Sequence, residues 1–87
     1  MDNNVVTLEG QVKSELKTFT KDGVHYGSFL IEAKSKYEMT APIIKCIFAG
    51  PVLEKANENI KINDYINLKA HLIMEDENIE VIVDEIN

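Results

Sequence analysis

Side chains that could catalyse a reaction or bind a metal occur in this sequence only singly. The two histidines, His25 and His71, belong to different predicted strands, and neither has a cysteine or a carboxylate pair at metal-ligand spacing. The serines, at positions 14, 28 and 35, lack the Gly-x-Ser-x-Gly elbow of a hydrolase, and the sequence has no glycine-rich phosphate loop. We therefore expect no enzyme, no metal site and no cofactor.

Lysines and aromatic rings form a second set of candidate residues, with types suited to a polyanion. Lysines on the outward-facing positions of two predicted strands and in the adjoining loop would follow phosphates. Exposed rings beside them would stack on bases, and because every base has a π-face such binding tolerates sequence. For each ring, packing against a loop or a subunit neighbour is the alternative. The candidate nucleic-acid-binding residues are Lys17, Phe19, Lys21, Tyr26, Lys34, Lys36, Tyr37 and Lys45.

The net charge of −6 is unevenly distributed along the chain. Residues 1–50 contain six lysines and six acids and are neutral, so residues 51–87 carry all of the net negative charge. Because phosphate binding depends on cationic side chains, the acids at positions 75, 76, 77, 80, 84 and 85 predict a surface that a polyanion avoids.

Hydrophobic periodicity predicts the elements that position these side chains. Apolar residues alternate in residues 6–12, again from Val24 onward and in residues 43–49, which predicts three strands, with Asp22-Gly23 as a tight turn. The spacing of Leu53, Ala56 and Ile60 predicts one short helix beginning near Pro51. Residues 66–72 and 79–83 predict two more strands. The order βββαββ is that of an all-β, five-stranded OB-fold barrel, which we expect to be a single domain over residues 1–87.

The length of 87 residues limits the hydrophobic core, so we expect the chain to form a dimer or larger homo-oligomer. Val5 and Thr7, on the outer face of the first strand, would extend pairing between barrels. Cys46 stands alone in an apolar run and is predicted to be a small buried side chain. No apolar run approaches the length of a membrane span and the N-terminus has no secretory signal, so we expect a cytoplasmic protein.

Four collinear stretches cover nearly the whole chain, namely residues 4–12, 22–35, 44–50 and the helix leading into 65–68. In their order and spacing they resemble the bacterial single-stranded DNA-binding proteins and their relative, the primosomal replication protein B. The resemblance implies an OB fold that binds single strands across its second and third strands, assembles as dimers or tetramers and serves replication, recombination or repair. The short primosomal protein is the closer match.

The chain also departs from these relatives in its aromatic positions. Only Tyr37 matches a family stacking position, whereas Ile43 and Ala49 stand where the third strand would offer rings, and the loop between the last two strands is short and acidic. Three hypotheses therefore remain at this point. The first is single-stranded DNA binding, the second is a protein interaction module of a replication, plasmid or phage assembly, and the third is RNA binding through the same face.

Overall fold

The structure, a computed structural model, describes residues 4–34 and 41–87. Six strands and one helix follow each other along these ranges. The elements are β1 (Val6–Val12), β2 (Lys17–Lys21), β3 (Val24–Ala33), β4 (Ile43–Ala49), α1 (Gly50–Asn59), β5 (Tyr65–Glu75) and β6 (Asn78–Ile86).

The strands form a closed barrel. Their order in the sheet is β1-β5-β6-β4-β3-β2, and β1 also pairs with β3, so that it joins the two sides of the sheet. Every strand pair is antiparallel except β4–β6, which is parallel. The barrel and the helix after β4 confirm the predicted OB fold.

The barrel closes where β1 crosses β3 at Gly10. Gly10 pairs with Ala33, and a Cβ atom built on Gly10 would meet the backbone carbonyl of Glu32 and approach Ile31 Cγ2 to 2.8 Å. Only a residue without a side chain fits this crossing, which explains the glycine within the alternating pattern of β1.

The core is filled by the faces that the alternation of the sequence predicts. Phe29 and Ile31 of β3 and Cys46 and Phe48 of β4 are buried, and the rings of Phe29 and Phe48 pack edge to face with centroids 4.6 Å apart. Burial raises the pKa of the Cys46 thiol to about 12, because the thiolate would lose its hydration inside the barrel. Cys46 is therefore the predicted buried side chain.

Helix α1 covers one end of the barrel. Pro51 lies in its first turn, as predicted, and Ala56 is its buried residue, with Leu53 packed against the core. Within the described ranges, no helix has the length and apolar character needed to cross a membrane.

The chain before the Asp22-Gly23 turn differs from the sequence-based expectation. The sequence predicts a loop here, but residues 17–21 form β2, which pairs antiparallel with β3 along its whole length. All five of its residues are exposed, so β2 carries no burial pattern that the sequence could display. The turn itself is confirmed, because Asp22 and Gly23 both have positive φ, at 51° and 78°.

A second tight hairpin joins β5 to β6. Its two turn residues, Asp76 and Glu77, have φ values of 50° and 67°, a left-handed conformation that side chains other than glycine and asparagine adopt at a cost. The two hairpins, β2–β3 and β5–β6, flank the candidate site.

Candidate nucleic-acid interface

A groove of about 450 Å³ runs over the outer face of the barrel, between the β2–β3 hairpin and the β5–β6 hairpin. We call it the groove throughout. It is lined by Phe19, Lys21, Asp22, Tyr26, Lys45, Ile47, His71, Ile73, Glu75, Glu80 and Ile82. A smaller depression of about 210 Å³ adjoins it through Lys45 and adds Lys17, Ser28 and Leu30.

Phe19 and Tyr26 form a stacked pair on one wall of the groove. They are cross-strand partners on β2 and β3, with ring centroids 5.4 Å apart and an angle of 22° between the rings. Phe19 is 38% exposed and Tyr26 is half-buried, so the pair is packed within itself and still presents a ring to solvent. Such an arrangement offers a flat apolar surface on which a base can stack.

The predicted lysines fall into two groups when their partners are compared. Lys21 forms an ion pair with Glu75, and Lys34 lies 3.8 Å from Glu9. Lys17 and Lys45 have no ion pair among the residues that the structure describes, and both border the depression next to the stacked rings. These two are the lysines with the fewest competitors for a phosphate.

Lys34 lies apart from the groove. Lys45 is opposite Leu30 on β3, and Lys34 follows four residues further along, a separation of about 13 Å on an extended strand. The structure therefore brings together Lys17, Lys21 and Lys45 with the two rings, and leaves Lys34 near β1. Lys36 and Tyr37, the remaining predicted residues, lie outside the described residues.

Two acids from the C-terminal half lie in the same groove, contrary to the expectation that they form a separate surface. The parallel pairing of β6 with β4 places Glu80 near Lys45, and Glu75 lies at the end of β5 beside Lys21. With Asp22, the groove holds three acids and two lysines, and Lys17 of the adjoining depression brings the number of lysines to three. The attraction for a polyanion is therefore weak, and stacking must supply much of the affinity.

Isoleucines form the floor of the groove. Ile47 of β4 pairs with Ile82 of β6, and Ile73 of β5 lies beside them. Ile47 is 7% exposed although it points away from the barrel core. Alternation alone assigned it to the solvent side, and the signal that could have found it is the unbroken apolar run of residues 46–49, since such runs indicate strands covered on both faces.

Both histidines make polar contacts of their own. His71 Nδ1 lies 2.9 Å from the carboxylate of Asp84, and His25 Nδ1 lies 3.0 Å from the Thr20 hydroxyl on the opposite side of the β2–β3 hairpin. Across the described part of the chain, no group of three or more His, Cys, Asp or Glu side chains is arranged to hold a metal ion.

The chain is similar to known proteins in structure, but searches by sequence detect no relative. No protein-family model matches the chain, and no curated protein matches it. Among solved structures, the single-stranded DNA-binding (SSB) domain of a Synechococcus protein superposes with a TM-score of 0.80 at 16% identity, covering 100% of this chain and 97% of that chain.

Two further structures are similar to the same extent. Rim1, a mitochondrial single-stranded DNA-binding protein of S. cerevisiae, gives a TM-score of 0.88 at 14% identity and covers 100% of this chain and 94% of its own. The N-terminal domain of PriB from Thermoanaerobacter tencongensis, solved as a dimer, gives 0.80 at 20% identity over 99% and 96% of the two chains. The resemblance read from the sequence is thus supported by the fold, and the chain shares the barrel of these single-stranded DNA-binding proteins.

Proposed function

We propose that the protein binds single-stranded DNA in the groove, with little dependence on sequence. The observation that carries the proposal is the stacked Phe19–Tyr26 pair beside Lys17 and Lys45. The rings stack on bases while the lysines contact phosphates, which is how single-strand binding by OB folds is built. The similarity to SSB domains and to PriB supports this use of the fold.

The deciding experiment is a fluorescence anisotropy titration of the full chain with labelled oligo-dT at low and high salt. Because phosphate contacts release counterions, we expect binding that weakens as salt rises, with a shallow slope that reflects only two or three lysine contacts. Absence of binding at low salt would refute the proposal. Competition with oligo-U in the same assay tests RNA as the ligand of this face.

The stacking role is tested by Phe19→Ala and Tyr26→Ala. Removing a ring that stacks on a base costs about 1–3 kcal/mol, so each variant should bind oligo-dT roughly 5- to 150-fold more weakly with an unchanged salt slope. Tyr65→Ala is the matched control, because Tyr65 is 78% exposed on β5 and does not line the groove. An equal loss in the Tyr65 variant would show that the effect is not specific to the rings of the groove and would refute the stacking role.

The lysine role is tested by Lys45→Ala against Lys34→Ala. Each variant removes one positive charge, but only Lys45 lies in the groove. Losing one phosphate contact should flatten the salt slope by about 0.7 for Lys45→Ala and leave it unchanged for Lys34→Ala. Equal salt slopes in the two variants would show that the phosphates do not follow the groove at Lys45.

Lys36 enters the proposal as an outward-facing lysine of the predicted second strand, and Tyr37 enters it because it matches a stacking position of the family that the sequence resembles. We expect Tyr37→Ala to weaken oligo-dT binding roughly 5- to 150-fold without changing the salt slope. A lower melting temperature with unchanged affinity would instead identify Tyr37 as a packed surface ring.

We further propose that the protein is a cytoplasmic homo-oligomer serving replication, recombination or repair. Val5, which is 62% exposed, directly precedes β1, and the exposed Thr7 follows it on that strand, where β1 pairs with β5. The PriB domain was solved as a dimer, which supports self-association. Sedimentation should show a dimer or tetramer at tens of micromolar, reduced by Val5→Glu, and a monomer throughout would refute this part of the proposal.

The second candidate function is docking of a replication, plasmid or phage protein. The observation in its favour is the β5–β6 hairpin, where Met74 and Ile79 pair across the strands at 71% and 65% exposure beside an acidic turn. Exposed apolar residues with a charged rim are typical of protein contacts. The oligo-dT titration separates the two functions, because failure to bind any oligonucleotide at low salt leaves this hairpin as the functional surface.

A further inference from the structure

The ion pair between Lys21 and Glu75 joins the two hairpins across the groove. In the sheet, β2 and β5 are separated by β3, β4 and β6, which amounts to four strand spacings of about 4.8 Å each. The side chains of Lys21 and Glu75 nevertheless contact each other. The hairpins must therefore reach over the outer face of the barrel toward one another, and the ion pair closes one end of the groove.

Lys21 is the one groove lysine that already has a carboxylate partner among the described residues. A phosphate that bound Lys21 would have to displace Glu75, and single-stranded DNA that entered at this end would have to separate the two hairpins. Building on the function proposed above, we propose that Glu75 is an affinity-determining residue that holds Lys21 across the groove and competes with the nucleic-acid backbone for it.

Glu75 differs in this respect from its acidic neighbours. Both members of its ion pair are partly exposed, with side-chain exposures of 52% for Lys21 and 38% for Glu75, so the contact is weak enough to open. Glu77, two residues later in the turn, makes no ion pair among the described residues and does not line the groove. Glu77→Gln therefore provides a control with the same change in charge on the same hairpin.

Two quantities distinguish displacement of Glu75 from a general effect of charge. In Glu75→Gln, Lys21 no longer has a carboxylate partner. The variant should therefore bind oligo-dT about two- to fivefold more tightly, the range expected for breaking an exposed ion pair. In the wild type, Lys21 stays paired with Glu75 in part of the complexes, so that its contact with a phosphate adds less than one full charge to the salt slope. Glu75→Gln should therefore also steepen the salt slope by at most about 0.7, whereas Glu77→Gln should leave the slope unchanged.

A second variant tests the closed state directly. Lys21→Cys combined with Glu75→Cys can be joined by a short bis-maleimide, while the native Cys46 is fully buried and does not react in the folded chain. The joined protein should lose oligo-dT binding relative to the same variant left unjoined. Circular dichroism checks that both forms are folded.

The results separate this inference from the function on which it rests. Binding by every variant with the same affinity and slope, or full binding by the joined protein, would overturn the role of Glu75 and leave the function intact. Failure of the wild type and of every variant to bind would overturn both. A higher affinity and steeper slope in Glu75→Gln alone, together with loss of binding on joining, is the outcome that the inference requires.

Discussion

The substitution Gly10→Ala tests the crossing of β1 and β3 on which the whole barrel depends. The added Cβ would meet the carbonyl oxygen of Glu32, with Ile31 Cγ2 at 2.8 Å and the Glu32 carbonyl carbon at 2.9 Å. Gly10 is not among the residues with positive φ, so an alanine there suffers only from the lack of space. Because two of the three obstacles are backbone atoms, the strands must move apart to admit one methyl group.

The expected cost lies at the upper end of the range for overpacking, about 3 kcal/mol. For a domain of this size, 1 kcal/mol corresponds to about 4–8 °C in melting temperature, so Gly10→Ala should melt roughly 12–24 °C below the wild type. Thermal unfolding followed by far-UV circular dichroism measures this difference.

Gly27→Ala is the matched control for this measurement. Its added Cβ would meet the ends of Leu53 and Leu16, the latter at 3.2 Å, and both are side chains that can rotate away. The expected cost is about 1 kcal/mol. If Gly10→Ala melts within about 2 °C of the wild type, or no lower than Gly27→Ala, then β1 does not cross β3 as closely as described and the account of barrel closure is wrong.

Three further predictions concern individual residues. Cys46 should resist thiol reagents at neutral pH until the chain unfolds. Its pKa is about 12 in the folded chain against the ordinary 9.0, so the stability that the protonated thiol contributes is complete below pH 9 and is lost toward pH 12. Urea titrations across that range measure the loss. Glu77→Gly should raise the melting temperature by about 4–8 °C, because glycine adopts the positive φ of this turn without the cost of about 1 kcal/mol that glutamate incurs. An unchanged melting temperature would contradict the turn geometry. Asn4→Ala should speed hydrogen exchange at the Leu72 amide, which donates to Asn4 Oδ1 at 2.9 Å, and unchanged exchange would place Asn4 elsewhere.

The sequence predicted those parts of the fold that bury one face of a strand. Phe29, Ile31, Cys46 and Phe48 are buried in the register that alternation assigned to them, and the helix begins at the position marked by Pro51. Strand β2 was missed because a strand exposed on both faces has no hydrophobic period. The available signal was the Asp-Gly turn, which is typical of a two-residue hairpin and so requires a strand on each side.

The candidate site was predictable only in part, because its halves come from distant segments. Phe19 and Tyr26 were identified from their places around the turn, and their stacking follows from the hairpin register. The presence of Glu75 and Glu80 in the groove depends on the pairing of β6 with β4, which no local pattern of residues encodes. For the same reason, charge counted along the chain assigned Glu75 and Glu80 to a different surface from the lysines, whereas the folded protein places both acids in the groove with Lys21 and Lys45.

The parallel pairing of β4 with β6 also bears on the order of events during folding. These two strands are adjacent in the barrel, but α1 and the whole of β5 lie between them in the chain. Contacts so distant in sequence form slowly, since the loop must close before they contribute. During synthesis, β1 to β4 leave the ribosome long before β6, and until then β4 has an open edge that invites association with other chains. The floor of the groove, which joins Ile47 to Ile82, is therefore among the last parts of the molecule to form.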